Sequence, residues 1–107
     1  MEKIIEVLEN NNWYVRQNTN FILIEQWSDL GEDLVEEIGY KTKEDFIKEF
    51  ERIVNCFDVD EHVEMYVNMR GRRGVPNCTI KELLEDAEKI KKIYETTLKE
   101  IKEIEEE

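Results

Sequence analysis

Among 107 residues the chain has one proline, one histidine, two cysteines and four glycines, and only 15 basic residues against 27 acidic ones. Each scarcity removes a class of function. A single histidine, His62, cannot build a four-ligand zinc site with two cysteines as distant as Cys56 and Cys78. Neither cysteine needs a disulfide in a cytoplasmic protein, and Cys56 is expected to sit in the core. There is no phosphate-binding glycine loop, no G-x-S-x-G and no set of metal carboxylates paired with histidines. A Cys56–His62 dyad would lack the oxyanion loop that such chemistry uses. No enzyme activity and no cofactor are therefore expected.

Long apolar runs are missing too. Nothing approaches the roughly 20 residues of a membrane span. The opening "MEKIIEVLEN" carries acids at both ends and no cleavage signature, so it is not expected to be a signal peptide. Repeats, linkers and low-complexity blocks are absent apart from the closing "EIEEE", which is expected to fray. The shortage of base leaves a net charge of −12 and a pI near 4.6. Such a chain is repelled by a phosphate backbone and by an anionic membrane surface, so neither is expected as a direct partner. The complementary partner is a basic surface, and most basic macromolecular surfaces exist to hold DNA or RNA; the alternative is that the acid serves only to keep the chain soluble.

What is present is enough for a core. Forty per cent of the residues are hydrophobic and ten are aromatic, in a chain of one-domain length, taken as a single domain over residues 1–107. Residues 2–10 form an amphipathic pattern with Met1, Ile4, Ile5 and Leu8 on one stripe. The "NNN" at 10–12 ends it, since Asn tolerates turn conformations. "WYVRQ" and "FILIEQW" read as two strands around the turn "NTN". In the second, Phe21, Leu23 and Trp27 point one way and Ile22 and Ile24 the other, which places it centrally. "EDLVEEIGY" is open to two readings. Leu30, Leu34 and Ile38 keep helical spacing with Gly39 as a cap, whereas a third strand would stabilise an otherwise marginal hairpin, and the strand is preferred.

The remainder, residues 42–107, reads as helical. Thr42 is the expected N-cap of a helix whose stripe is Phe46, Phe50, Ile53 and Phe57. Asp60 is expected to cap the next helix, which buries Val63, Tyr66 and Val67, and "GRRGVPNC" reads as a loop. Thr79 and Glu82 form a capping box that opens a long helix from about 79 to 104. Its seam runs Leu83, Ala87, Ile90, Tyr94, Thr97, Ile101, Ile104 in heptad steps. A helix of that length is about 39 Å long, so its second half is expected to project and to mediate self-association through Ile90, Tyr94, Ile101 and Ile104, giving a possible homodimer. The fold class is α+β: an N-terminal helix, a small antiparallel three-stranded sheet, then three helices, the last one long.

The stretch "FDVDEHVEMYVNMRGRRGVP" concentrates the residues that look chemical. Asp58, Asp60 and His62 mimic the start of an EF-hand loop. The sixth position, however, is Val63 in place of Gly, and the twelfth is Met69 in place of Glu, so no metal site is expected. Three of the five arginines, Arg70, Arg72 and Arg73, give residues 65–80 a net charge of +3, while residues 25–64 hold 14 acids against 4 bases, net −10. Arginines flanked by glycines grip carboxylates or phosphates bidentately. The acids Asp29, Glu32, Asp33, Glu36 and Glu37 are the candidate partner-binding surface, with Arg70, Arg72 and Arg73 as a clamp that sets orientation.

"WSDLGED" followed by "FDVDEHVEMYVNMRGRRGVPNCTIKELLEDAEKI" resembles a group of small acidic proteins encoded by bacterial phages, plasmids and integrative elements. The group shares a D-x-D-E-H step, a helix with E-M-aromatic, a G-V-P turn and an E-L-x-x-D-A helix, together covering roughly residues 27–90. The resemblance implies a cytoplasmic, bacterial, mobile-DNA setting and carries over no catalytic residue. Together with the charge it leads to one expectation: a stoichiometric inhibitor, of anti-CRISPR or anti-restriction type, that presents a DNA-mimicking acidic surface to the nucleic-acid-binding groove of a host defence protein. The alternative expectation is a dimeric structural or adaptor protein that uses its C-terminal heptads.

Overall fold

Ile4 and Leu8, one helical turn apart, are buried by the first helix, α1 (Glu2–Asn10). The computed structural model describes residues 1–31, 33–73 and 79–104, with the side chains of residues 69–73 outside that description. The asparagine run ends α1 as its composition demands. Asn12 takes a left-handed φ of 68°, tolerable for Asn, and the next N–H, of Trp13, returns to the Leu8 carbonyl at 3.0 Å.

Three antiparallel strands follow in the order β1 (Tyr14–Gln17), β2 (Phe21–Trp27), β3 (Asp33–Gly39). The strand reading of residues 33–39 is the one the fold adopts. Period-two burial decides it: Leu34 and Ile38 are buried while Asp33, Val35 and Glu37 are exposed. Before β3, Gly31 donates to the Ser28 carbonyl at 2.9 Å with φ of 82°, a backbone angle that suits glycine. β2 is the central strand. Its Ile22, Ile24 and Gln26 face the helices, and Phe21, Leu23, Glu25 and Trp27 face away.

The helices lie on one side of this sheet. α2 (Lys43–Cys56) opens on a capping box in which Thr42 accepts from Asp45 N–H and the Asp45 carboxylate accepts from Thr42 N–H, each at 3.2 Å. It buries Phe46, Phe50 and Val54. Cys56, expected in the core, is exposed at the end of α2, because the buried stripe of that helix passes through Val54 and leaves position 56 on the outer side. α3 (Val59–Arg73) is capped by Asp58, whose carboxylate accepts from Glu61 N–H at 3.1 Å, and not by Asp60, which lies inside the first turn. α3 packs on the last helix, α4 (Ile80–Lys102), and buries Tyr66, whereas Val67, expected to be buried with it, is exposed. α3 also runs to Arg73, so Gly71, Arg72 and Arg73, expected in a loop, belong to a helix. The remaining loop residues 74–78, including Cys78, and the "EEE" at 105–107 lie outside the described residues. Among the described residues no helix is long and apolar enough to cross a membrane.

α4 corrects the expectation that its second half projects. Its capping box of Thr79 and Glu82 is present, and its seam is apolar as read. The seam does not project, though. Ile90 and Ile101 are each 1% exposed, Tyr94, Thr97 and Leu98 are buried, and Ile104 packs against the same core. The reason is geometric. A 23-residue helix, about 35 Å long, lies across α1, α2 and α3, and steps of four and three mark any helix face that packs on a layer as well as a coiled coil. Thr97, anomalous in a coiled-coil seam, accepts from the indole N–H of Trp13 at 3.2 Å and donates to the Ile93 carbonyl at 2.7 Å.

A seam buried in its own fold has a testable signature. Ile101→Ala should lower stability in urea by about 2–5 kcal/mol, the usual range for a truncated core isoleucine. Ile101→Asp should fail to fold, because it buries an unpaired charge. A folded, soluble Ile101→Asp protein would show that the seam lies outside the core.

Candidate functional site

Five neighbouring acids in sequence are distributed to different surroundings by the strand period. Asp29 is exposed in the β2–β3 turn, and its Oδ2 accepts from Lys89 Nζ of α4 at 2.9 Å. That bond raises the lysine above its ordinary pKa. Glu32 lies outside the described residues. Asp33 and Glu37 are exposed on the outer face of β3, facing Trp27 and Leu23 of β2 respectively. Glu36 points inward between Leu34 and Ile38, where its Oε2 accepts from the Tyr94 hydroxyl at 2.9 Å. Burial pushes the Glu36 carboxyl up, while Tyr94 and the more distant charge of Arg52 draw it down without cancelling the rise. Glu36 is therefore not part of an outward acidic surface, a correction the two-residue strand period explains. Arg70, Arg72 and Arg73 sit on the last turns of α3 with side chains outside the description, so the expected clamp has a backbone position only.

The "DVDEH" step is occupied with structural work. Asp58 caps α3, and His62 packs its ring on Phe57 at 5.1 Å. Among the described residues, no group of three or more His, Cys, Asp or Glu side chains could hold a metal ion. A cleft of about 640 Å³ between the end of β3 and α2 is lined by Asn20, Tyr40, Lys41, Asp45, Lys48 and Arg52, among others. Its charges have both signs, and Arg52 is tied to Glu49 at 3.1 Å through Nε, so no convergent set for one ligand results.

The outer face of the sheet is different. Its rows follow from the register: Tyr14–Glu25–Val35, Arg16–Leu23–Glu37 and Trp27–Asp33. The sheet's helical cover lies against the other face, and here Tyr14 is 69% and Trp27 52% exposed, with Val35 exposed beside them. Tyr14 and Trp27 meet edge to face, ring centroids 5.9 Å apart at 79°. Asp33 is the diagonal neighbour of Glu25 across β2–β3, and the hydrogen bond their carboxyl groups share once one is protonated raises the Glu25 carboxyl above its ordinary value. Desolvation and the Asp33 charge add to the rise, and Arg16 opposes it. The face thus carries three acids to one base around an exposed aromatic pair. Tyr14, Glu25 and Trp27 were not among the expected site residues. The alternation that puts Trp27 with Phe21 and Leu23 was the available signal, and the hairpin register that adds Tyr14 beside Glu25 completes it.

Compared with protein-family models, curated proteins and solved structures, the chain matches none.

The inward acid generates a prediction. Tyr94→Phe removes the donor that Glu36 accepts from, and should destabilise the fold by about 1–3 kcal/mol at neutral pH. The Glu36 carboxyl is raised in the folded state, so folding favours its protonated form. Stability from that group is fully present below the ordinary value of 4.5 and is lost as pH rises through the native value. The Tyr94→Phe penalty should therefore shrink as urea melts are taken down toward pH 4. A penalty independent of pH would break the link between Tyr94 and Glu36.

Proposed function

We propose that this protein is a non-enzymatic, stoichiometric inhibitor that binds the basic nucleic-acid-binding groove of a host protein. The observation that carries the reading is the open sheet face, where Glu25, Asp33 and Glu37 surround the exposed Tyr14 and Trp27 in a chain of net charge −12. Isolated monomers rarely leave aromatic residues grouped on an uncovered face, and such patches mark protein interaction sites. Alternate residues on one strand face are about 6.6–6.8 Å apart, so Asp33 and Glu37 lie about 13 Å apart, the axial length of about four phosphate-to-phosphate steps on one DNA strand. A groove lined with arginine and lysine to hold phosphates can meet these carboxylates instead. The remaining acids of the chain steer association over longer range. The resemblance to small acidic proteins of mobile elements supports a defence protein, of CRISPR or restriction type, as the host target, in the cytoplasm. The adaptor reading lacks its surface, since the heptad seam is buried.

The test reverses the outward acids only. Glu25→Lys, Asp33→Lys and Glu37→Lys together should abolish capture of the partner from host lysate and leave circular dichroism unchanged. The partner captured by the native protein should be a nucleic-acid-binding protein that duplex DNA displaces from it. Raising salt from about 50 to about 300 mM should weaken the complex several-fold, chiefly by slowing association. Binding that ignores salt and survives the three reversals would end the reading, as would a captured partner that DNA does not displace.

A further inference from the structure

We infer that the corner of the open sheet face formed by Tyr14, Glu25, Trp27 and Asp33 receives an arginine side chain of the partner. This rests on the docking-face reading above and specifies what the face grips. The register links the four residues in a chain of adjacent pairs across β2. Tyr14 faces Glu25 across β1–β2, Trp27 faces Asp33 across β2–β3, and Glu25 and Trp27 are two apart on one face of β2. Directly opposed side chains have Cβ atoms about 4.5–5.5 Å apart and diagonal ones about 7–8 Å, so one planar cation over β2 can meet Trp27, Glu25 and Asp33, with Tyr14 flanking Trp27.

The chemistry favours guanidinium over ammonium. Tyr14 and Trp27 meet edge to face and are not stacked on each other, so at least one ring keeps its faces clear of the other. An aromatic face attracts a cation, and a planar guanidinium stacks on it. Beside the rings, Glu25 and Asp33 are diagonal neighbours across β2–β3, and their interaction raises the Glu25 carboxyl. Two carboxylates at that separation repel each other at neutral pH, and a fork of N–H donors can satisfy both. A lysine ammonium is compact and strongly hydrated and offers no fork. Within this chain Arg16 is the cation on the face and its charge acts on Glu25, but its row is Arg16–Leu23–Glu37, and Asp33 lies a full strand away on β3. Charge complementarity therefore remains for an incoming cation.

The experiment uses the full chain labelled with ¹⁵N and two probes of equal charge, octa-arginine and octa-lysine. The protein has two indole N–H groups that serve as reporter and control. Trp27 is on the face, and Trp13 is 3% exposed and bonded to Thr97. Octa-arginine should shift the Trp27 indole resonance and leave that of Trp13 in place, and should bind about two- to five-fold more tightly than octa-lysine. Trp27→Ala should remove that preference, as should Glu25→Gln combined with Asp33→Asn. An unmoved Trp13 indole in each variant reports an intact fold. Equal affinity for the two peptides, a Trp27 resonance that does not move, or a preference that survives Trp27→Ala would overturn the inference. Equal peptide affinities alongside DNA-displaceable capture would overturn the arginine anchor alone. An arginine preference alongside a partner that DNA cannot displace would support the anchor and overturn only the inhibitor reading.

Discussion

Tyr94 is the residue through which the layers of this fold meet. Its ring lies 5.4 Å from Trp13 at the start of the sheet, 6.3 Å from Phe50 of α2 and 5.5 Å from Phe57 between α2 and α3. Its hydroxyl reaches across to Glu36 of β3. Tyr94 can do so because α4 is long enough to cross the other helices. Further bonds along α4 repeat the pattern from outside the core: Lys89 to Asp29 in the β2–β3 turn, Asn11 to Glu100, and Lys102 to Glu51 of α2. Exposed pairs of this kind contribute roughly 0–1 kcal/mol each, so the register of α4 is set by the buried stripe and only trimmed by the charges.

This arrangement commits the helices to one side of the sheet. An antiparallel sheet can leave its second face to water, but such a face is ordinarily polar. Here the inner face takes Ile22, Ile24, Leu34 and Ile38, and the outer face still holds Phe21, Leu23, Trp27 and Val35. Phe21 and Leu23 are half-buried by their neighbours alone. The apolar content of β2 therefore exceeds what a one-sided core uses, and the surplus collects where Tyr14 and Trp27 meet. The surrounding acids keep that patch compatible with solution. They do not remove its apolar surface.

The elements were legible in the sequence because their local signals agree. The capping residues Thr42 and Thr79, the asparagine stop after α1 and the alternation in β2 each act within a few residues, and each is realised. Residues 33–39 needed tertiary information, since Leu34 and Ile38 satisfy both a helical and an alternating pattern. Pairing with β2 resolved it. The same four-residue step misled the reading of the acids. Asp29, Asp33, Glu36 and Glu37 look contiguous in one dimension, yet a period of two sends Glu36 inward and a turn turns Asp29 toward Lys89. The seam of α4 failed for a related reason. Heptad spacing states that one helix face is buried, not what buries it, and the answer, α1, α2 and α3, lies up to a hundred residues away in the chain. Asp58 as the cap in place of Asp60 shows the smallest such error, a shift of two residues between equivalent side chains.

Charge and shape act here on different length scales. The net charge of −12 belongs to the whole chain, and at physiological salt its field is screened within about 8 Å of exposed groups. Such a field can speed the approach of a basic partner and bias its orientation, but it cannot select one basic surface from another. Selection needs contacts that exclude water. On the outer face those are available only where rings and carboxylates adjoin, because a carboxylate beside an aromatic surface loses part of its hydration and interacts more strongly with a matching cation. The acids spread over the helices should therefore be exchangeable for one another with effects mainly on association. On the proposed docking reading, the corner around Trp27 should tolerate no exchange without faster dissociation. An acidic surface that worked by field alone would have no use for an exposed tryptophan at its centre.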